Sequence, residues 1–363
     1  MKKPSNLKNI FNRSPRMFIW GLLCLASLLF VLILFYFFIN KGDNQKLDID
    51  KSILIEKPTG YSLINGKLFF NNEATARPIL IVFDNYVDAR PAVGLSRASV
   101  VYEVIAEGEI TRILGLFEQH DLPDKIGPVR SARTYFLEIA EEWAALFIHA
   151  GGSPEALASI RSNKYNIDSL NEVSGDGIYF WRDKSRYAPH NIFTNQENIL
   201  EAISKKQLET KPNFSSWKFK KEEPKESGNY DQVAVDFSRD ADYQVLYQYN
   251  KEVLAYERVI NYDNESISKN EQIYAKTLVF QFVDYDVIDD YGRLDVNLKT
   301  GGNALVFSNG NKEIVYWKKE NNRTIFYQQN GEEFAFNPGL IWVSLVFNGI
   351  GKVSCFDCLD NLP

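Results

Sequence analysis

Cysteine is scarce, three residues in a chain of 363, which excludes a disulfide scaffold. Histidine is as rare: His120, His149 and His190 are the whole set, and none shows H-x-x-x-H or H-E-x-x-H spacing. No zinc site is therefore expected, and no metal or cofactor is assigned. The chain has no Gly-x-Gly-x-x-Gly and no Walker A loop, so nucleotide binding is not indicated. Gly-x-Ser-x-Gly is missing too, and Ser153 lies outside any such frame, which sets aside a serine hydrolase. Base is short as well. Beyond residue 39 the chain carries 36 basic and 47 acidic residues, a balance of −11. A body that acidic is a poor nucleic-acid binder.

One long hydrophobic run is present. Met17 to Ile39 is 23 residues without a charge, enough to cross about 30 Å of hydrocarbon at ~1.5 Å per residue. The five basic residues before it (Lys2, Lys3, Lys8, Arg13, Arg16) and the absence of acid there predict a cytoplasmic N-terminus. The run exceeds a cleavable signal core and no Ala-x-Ala-like site follows it. The expectation is a basic tail over 1–16 and an uncleaved signal-anchor helix over 17–39 seated in the bilayer. A polar stalk over 40–60 follows, with the bulk of the chain extracytoplasmic.

The exported part divides by pattern. Residues 61–204 read as a mixed α/β domain. ILIVFD (79–84), Val100–Ala106, Ile110–Glu118 and LFIHA (146–150) have strand length. Val129, Ala132, Phe136, Ile139, Ala140 and Trp143 recur at helical spacing, and Pro154–Arg161 and Glu197–Lys205 form further helices. Tyr61–Phe70 reads as a hairpin turned at Asn65-Gly66. Residues 205–230, with seven lysines, read as a linker. Residues 231–350 read as a mainly antiparallel β domain, with Asn309-Gly310 and Asn330-Gly331 as hairpin turns. The tail over 351–363 holds Cys355-Phe356-Asp357-Cys358, whose spacing suits a local disulfide; a thioredoxin-like setting for redox chemistry is lacking.

The cations point to chemistry. Residues 77–190 hold nine of 15 arginines but three of 26 lysines. Arginine is preferred where a planar donor must meet carboxylate or phosphate, although internal Arg–carboxylate pairing would also use some. In Ile126-Gly127-Pro128-Val129-Arg130-Ser131-Ala132-Arg133 the Gly-Pro breaks the chain and Ser131 is placed to cap a following helix. Arg130 and Arg133 would then crowd a helix N-terminus that is already positive, which calls for an anion between them. In His149-Ala150-Gly151-Gly152-Ser153-Pro154, two glycines turn the chain, Ser153 caps and Pro154 opens a helix. That turn is either a second anion cradle or plain strand-to-helix geometry. The candidate ligand-binding residues are Arg90, Arg112, Arg130, Ser131, Arg133, His149, Gly151, Gly152, Ser153, Arg182 and His190. Asp84 with Glu103 or Glu107 are carboxylates that could serve acid–base or Mg²⁺ chemistry once folded together; no catalytic residue is assigned.

These segments resemble the YerB-like family of bacterial envelope proteins, classed as a domain of unknown function. The resemblance rests on Arg77-Pro78, Asp84-Asn85, Asp88-Ala89-Arg90-Pro91 and Val101-Tyr102-Glu103. It continues through the 126–133 and 149–154 motifs, Ala188-Pro189-His190-Asn191, Gly292-Arg293-Leu294-Asp295 and Asn337-Pro338-Gly339. It implies an exported protein with an N-terminal α/β part and a β-rich C-terminal part. The sequence departs from the family at Ser99, where aspartate is common, and in its transmembrane anchor, where members are often lipoproteins. The motif order also faintly resembles LytR-CpsA-Psr envelope phosphotransferases, which implies an arginine-rich pocket with Mg²⁺. The expected function is membrane-anchored binding of an anionic, phosphate- or carboxylate-bearing envelope ligand. A non-catalytic scaffold module and a phosphotransferase are the alternatives.

Overall fold

The computed structural model describes residues 27–33, 35–36, 60–69, 76–221, 228–260 and 272–355. Most of the expected span Met17–Ile39 and of the stalk lies outside them. Residues 27–33 and 35–36 are helical, and Leu28, Phe30, Leu32 and Phe35 are exposed. No helix among the described residues is long and apolar enough to cross a membrane. Residues 57–363 form one compact unit, separate from residues 1–56.

In that unit the N-terminal half supplies strands β1 (Ile79–Asp84), β2 (Val100–Ile105), β3 (Thr111–Phe117), β4 (Leu146–His149) and β5 (Ser169–Asn171). It also supplies helices α1 (Thr134–Glu142), α2 (Pro154–Arg161) and α3 (Gln196–Lys206). Each of the four expected strands and the second and third helices are present. The first helix is shorter than its apolar spacing suggests. Residues 129–132 are extended instead, because their backbone is claimed from both sides: Arg130 N–H donates to Val82 O and Ala150 N–H to Arg130 O. Helix α1 therefore starts at Thr134, with Arg133 as N-cap and no side-chain cap, and Ser131 does not cap it. The hairpin at 61–70 also differs. Gly60–Tyr61 pairs with Leu68–Phe69 across a longer loop, in which Gly66 but not Asn65 has positive φ, so the turn is not type I′.

The C-terminal half is β-rich, as its alternating pattern predicts. β6 (Gln232–Asp236), β7 (Gln244–Asn250), β8 (Ala255–Ile260), β9 (Tyr274–Ala275) and, from the end of the chain, β15 (Lys352–Cys355) make a five-stranded antiparallel sheet ordered β9-β8-β7-β6-β15. Cys355 is disulfide-bonded; Cys358 lies outside the described residues. The other strands are β10 (Thr277–Val283), β11 (Gly302–Ser308), β12 (Asn311–Glu320), β13 (Arg323–Tyr327) and β14 (Ile341–Phe347). The β11–β12 turn is type I′, with Asn309 and Gly310 both at positive φ.

These last strands do not form a separate sheet. They join β1–β5 in one ten-stranded sheet, ordered β13-β12-β11-β10-β14-β2-β3-β1-β4-β5. β14 pairs in parallel with β10 on one side and with β2 on the other, so the sheet crosses the boundary expected near residues 205–230. The reason is visible in Ile341–Phe347, all buried: a strand apolar on both faces belongs inside a sheet, not at a solvated edge.

Candidate functional site

β1, β2, β4 and β5 run in parallel, with β3 antiparallel between β2 and β1. One end of this part of the sheet therefore collects Asp84 at the close of β1, Glu107 just after β2, Arg112 at the start of β3, and the 149–153 turn after β4. Crevices at the carboxyl ends of parallel strands are the usual ligand sites of open sheets. The extended segment 128–132 feeds Arg130 and Arg133 into the same end.

Asp84 is buried, and its Oδ2 lies 3.1 Å from Arg130 Nε and 2.7 Å from His190 Nδ1. Its Oδ1 accepts the Tyr86 N–H at 3.1 Å. Tyr86 stacks on His190 with ring centroids 5.0 Å apart. Arg133 meets Glu107 with both forks, through Nε and, at 2.6 Å, through Nη2. Arg112 donates to Ser131 O at 3.0 Å and lies 4.0 Å from Glu107. Burial pushes the Glu107 carboxyl up, but the hydrogen bonds and charge of Arg133, joined by Arg112, outweigh it, and the net shift is down. Burial lowers the Arg112 guanidinium to about 10, with Arg133 and Arg130 pushing the same way against Asp84 and Glu107. The cluster thus sets three guanidinium groups against two carboxylates.

Arg130 is the least satisfied of the three. Its Nε faces Asp84 without the alignment of a hydrogen bond. No described residue accepts from its terminal nitrogens, and its side chain is 24% exposed.

The other expected residues scatter. Arg90 donates to the carbonyls of Asn85 and Asp242 and lies over the Tyr243 ring, tying the two halves together. Arg182 binds Asn191 Oδ1 and pairs with Glu172, away from the cluster. His149 is sealed: its Nδ1 meets Gly151 O at 2.6 Å, its Nε2 has no partner, and burial lowers it to about 4. Of the two readings of the glycine turn, the geometry realises the structural one. Gly151 N–H is taken by Asn171 Oδ1, and Ser153 Oγ accepts the Ala156 N–H to cap α2. Gly152 lies so close to Ala132 that a Cβ would sit 3.2 Å from its methyl.

Of the candidate acids, Asp84 and Glu107 share the arginine cluster and Glu103 does not. Glu103 is held instead by Arg258, which donates to both its oxygens at 2.8 Å. Among the described residues no group of three or more His, Cys, Asp or Glu is placed to hold a metal ion. Sequence reasoning left out Asp84 as an anchor of the site and missed Tyr86. The one available signal was an aspartate closing an otherwise apolar strand.

Residues 66–209 match the N-terminal domain, and residues 233–343 the C-terminal domain, of the family described as protein of unknown function DUF3048. The chain belongs to this family. It is 34% identical over 275 residues to a Bacillus subtilis protein described as "Putative lipoprotein YerB", covering 74% of this chain and 81% of the relative. It is also similar to the crystal structure of YerB protein from Bacillus subtilis, with a TM-score of 0.71 and 31% identity. That match covers 81% of this chain and 99% of that one. The YerB-like resemblance read from the motifs is thereby established.

Proposed function

We propose that this chain is a membrane-anchored extracytoplasmic envelope protein that binds an anionic ligand, phosphate- or carboxylate-bearing, at the Arg112–Arg130–Arg133 cluster. The observation that carries the binding reading is Arg130: a guanidinium with free terminal N–H groups, reachable from solvent, in a cluster with one more cation than carboxylates. An anion bound there gains charge-assisted, bidentate hydrogen bonds. The location is supported by the uncharged 23-residue run with its basic flank and by the lipoprotein name of the relative. Reporter fusions at Lys51 and Pro363 test the topology, and both are expected outside the cytoplasm.

Thermal unfolding of the full-length chain in detergent tests the site. Phosphate or pyrophosphate at about 100 times its dissociation constant should add roughly 2.7 kcal/mol, and Arg130→Gln should remove that gain. A melting point indifferent to every anion overturns the binding reading. The scaffold reading would then hold, favoured by the internal engagement of Arg133 with Glu107. The phosphotransferase alternative gains no support from the acids it would need, since Asp84 and Glu103 are already engaged by Arg130 and Arg258.

A further inference from the structure

One side chain in the cluster has the wrong polarity for a purely cationic cradle. A carboxylate oxygen only accepts, so the contact between Asp84 Oδ2 and His190 requires the proton on Nδ1. In a neutral ring, Nε2 is then the bare acceptor. The ring is fixed by that bond on one side and by its stack on Tyr86, inclined 11°, on the other. Its side chain is 14% exposed, and no described residue donates to Nε2. Arg130 and His190 meet the same oxygen of Asp84. The two side chains are therefore neighbours about one carboxylate oxygen, and both are partly open to solvent.

We propose, building on the anion-site reading, that the site selects an oxyanion that carries its own proton: hydrogen phosphate, or a phosphate monoester at a pH where it keeps its second proton. Arg130 donates to the bare oxygens, and His190 Nε2 accepts from the P–OH. Hydrogen phosphate supplies both kinds of group. Sulfate has the same charge and tetrahedral shape but no proton, so it presents a lone pair to the lone pair of Nε2. Carboxylates and phosphodiesters share that defect. A site with a fixed acceptor discriminates strongly against an analogue that lacks the matching O–H. Monoesters lose their second proton near pH 6, so their affinity should fall as pH rises past that point, whereas that of hydrogen phosphate should persist.

The test is calorimetric titration of the full-length chain in detergent at pH 7.5 with sodium phosphate and, separately, sodium sulfate. Phosphate should bind at least about tenfold more tightly, the worth of one hydrogen bond. His190→Phe keeps a ring to stack on Tyr86 but removes the acceptor. It should abolish the difference between phosphate and sulfate. Arg130→Gln should weaken both. Equal affinities for the two anions, insensitive to His190→Phe, would overturn the selectivity and leave the anion site standing; no binding of either would remove both. Should His190→Phe fail to fold, carbethoxylation of the unsubstituted chain decides. With three histidines in the sequence, mass mapping is unambiguous. Phosphate but not sulfate should slow modification of His190, with His120 as the internal control, and no selective protection overturns the proposal.

Discussion

Replacing Arg258 by Met should destabilise the whole 57–363 unit, because this one side chain carries a buried charge pair between the two halves. Arg258 stands on β8 and Glu103 on β2. The guanidinium is 5% and the carboxylate 1% exposed, and the guanidinium lies 4.7 Å from the Trp342 ring. Burial opposes the charge on Arg258, but Glu103 and the hydrogen bonds it accepts leave the net shift upward. Methionine fills similar volume but leaves Glu103 with Asn85 and Thr111 alone as donors, at 3.3 and 3.1 Å. Breaking a buried pair from one side costs about 3–5 kcal/mol. A unit of about 300 residues unfolds with an entropy near 0.6 kcal/mol/K, so the melting point should fall by roughly 5–8 °C. The double substitution Arg258→Met with Glu103→Gln removes both charges and should cost less than Arg258→Met alone. Urea unfolding followed by tryptophan fluorescence and far-ultraviolet circular dichroism is the assay. The two probes should report one coincident transition, since β14 lies between β10 and β2. A loss below about 1 kcal/mol, strict additivity of the two changes, or two separate transitions would refute the reasoning.

Ser153→Ala should cost about 1 kcal/mol through loss of the α2 cap, read as a small drop in urea midpoint at unchanged slope. His149 gives a pH signature. Its folded value of about 4 lies below its ordinary 6.5, so the unfolded chain binds the extra proton. Stability from this group is complete above pH 6.5 and is lost as pH falls toward 4, by roughly 3 kcal/mol. His149→Gln should flatten melting temperature against pH across that window, and an unchanged slope would show that the slope arises elsewhere. A protease cut anywhere within 205–230 should leave two fragments that co-elute on gel filtration, because the ten-stranded sheet contains strands from both; separate elution of folded pieces would contradict the shared sheet.

The strands were legible because their signal is local. ILIVFD and LIWVSLVF announce buried strands by nearly continuous apolar runs, and Asn309-Gly310 announces a type I′ turn by residue type alone. What stayed hidden was non-local. Nothing in Ile341–Phe347 names Val100–Ile105 as its neighbour, so the parallel pairing that fuses the halves could not be read. The apolar spacing of Val129 and Ala132 was misleading for a related reason. Partners at Ile192 and Gly151 fix those residues as extended chain, and tertiary hydrogen bonding overrides periodicity. For the proposed site, arginine enrichment pointed to the end of the sheet where Arg112, Arg130 and Arg133 gather. It did not separate Arg112, Arg130 and Arg133 from Arg90 and Arg182, because the distinction lies in which carboxylate or carbonyl each one meets.

The coupling of the halves bears on the site itself. Glu103, fixed by Arg258, also accepts from Asn85 Nδ2 and Thr111 Oγ1, the residues adjoining Asp84 and Arg112. Arg90 adds a second strut, from Asn85 O to Asp242 O over Tyr243. The end of β1 at Asp84 and the loop carrying Tyr86 are thus held by groups of the β-rich half. An N-terminal half expressed alone would leave Glu103 and Asn85 without those supports, and the Asp84–His190 contact would lose its fixed geometry. The β-rich half therefore forms the back wall of the proposed anion site. On that argument, a deletion in it should weaken phosphate binding even though Arg112, Arg130, Arg133 and His190 all belong to the N-terminal half.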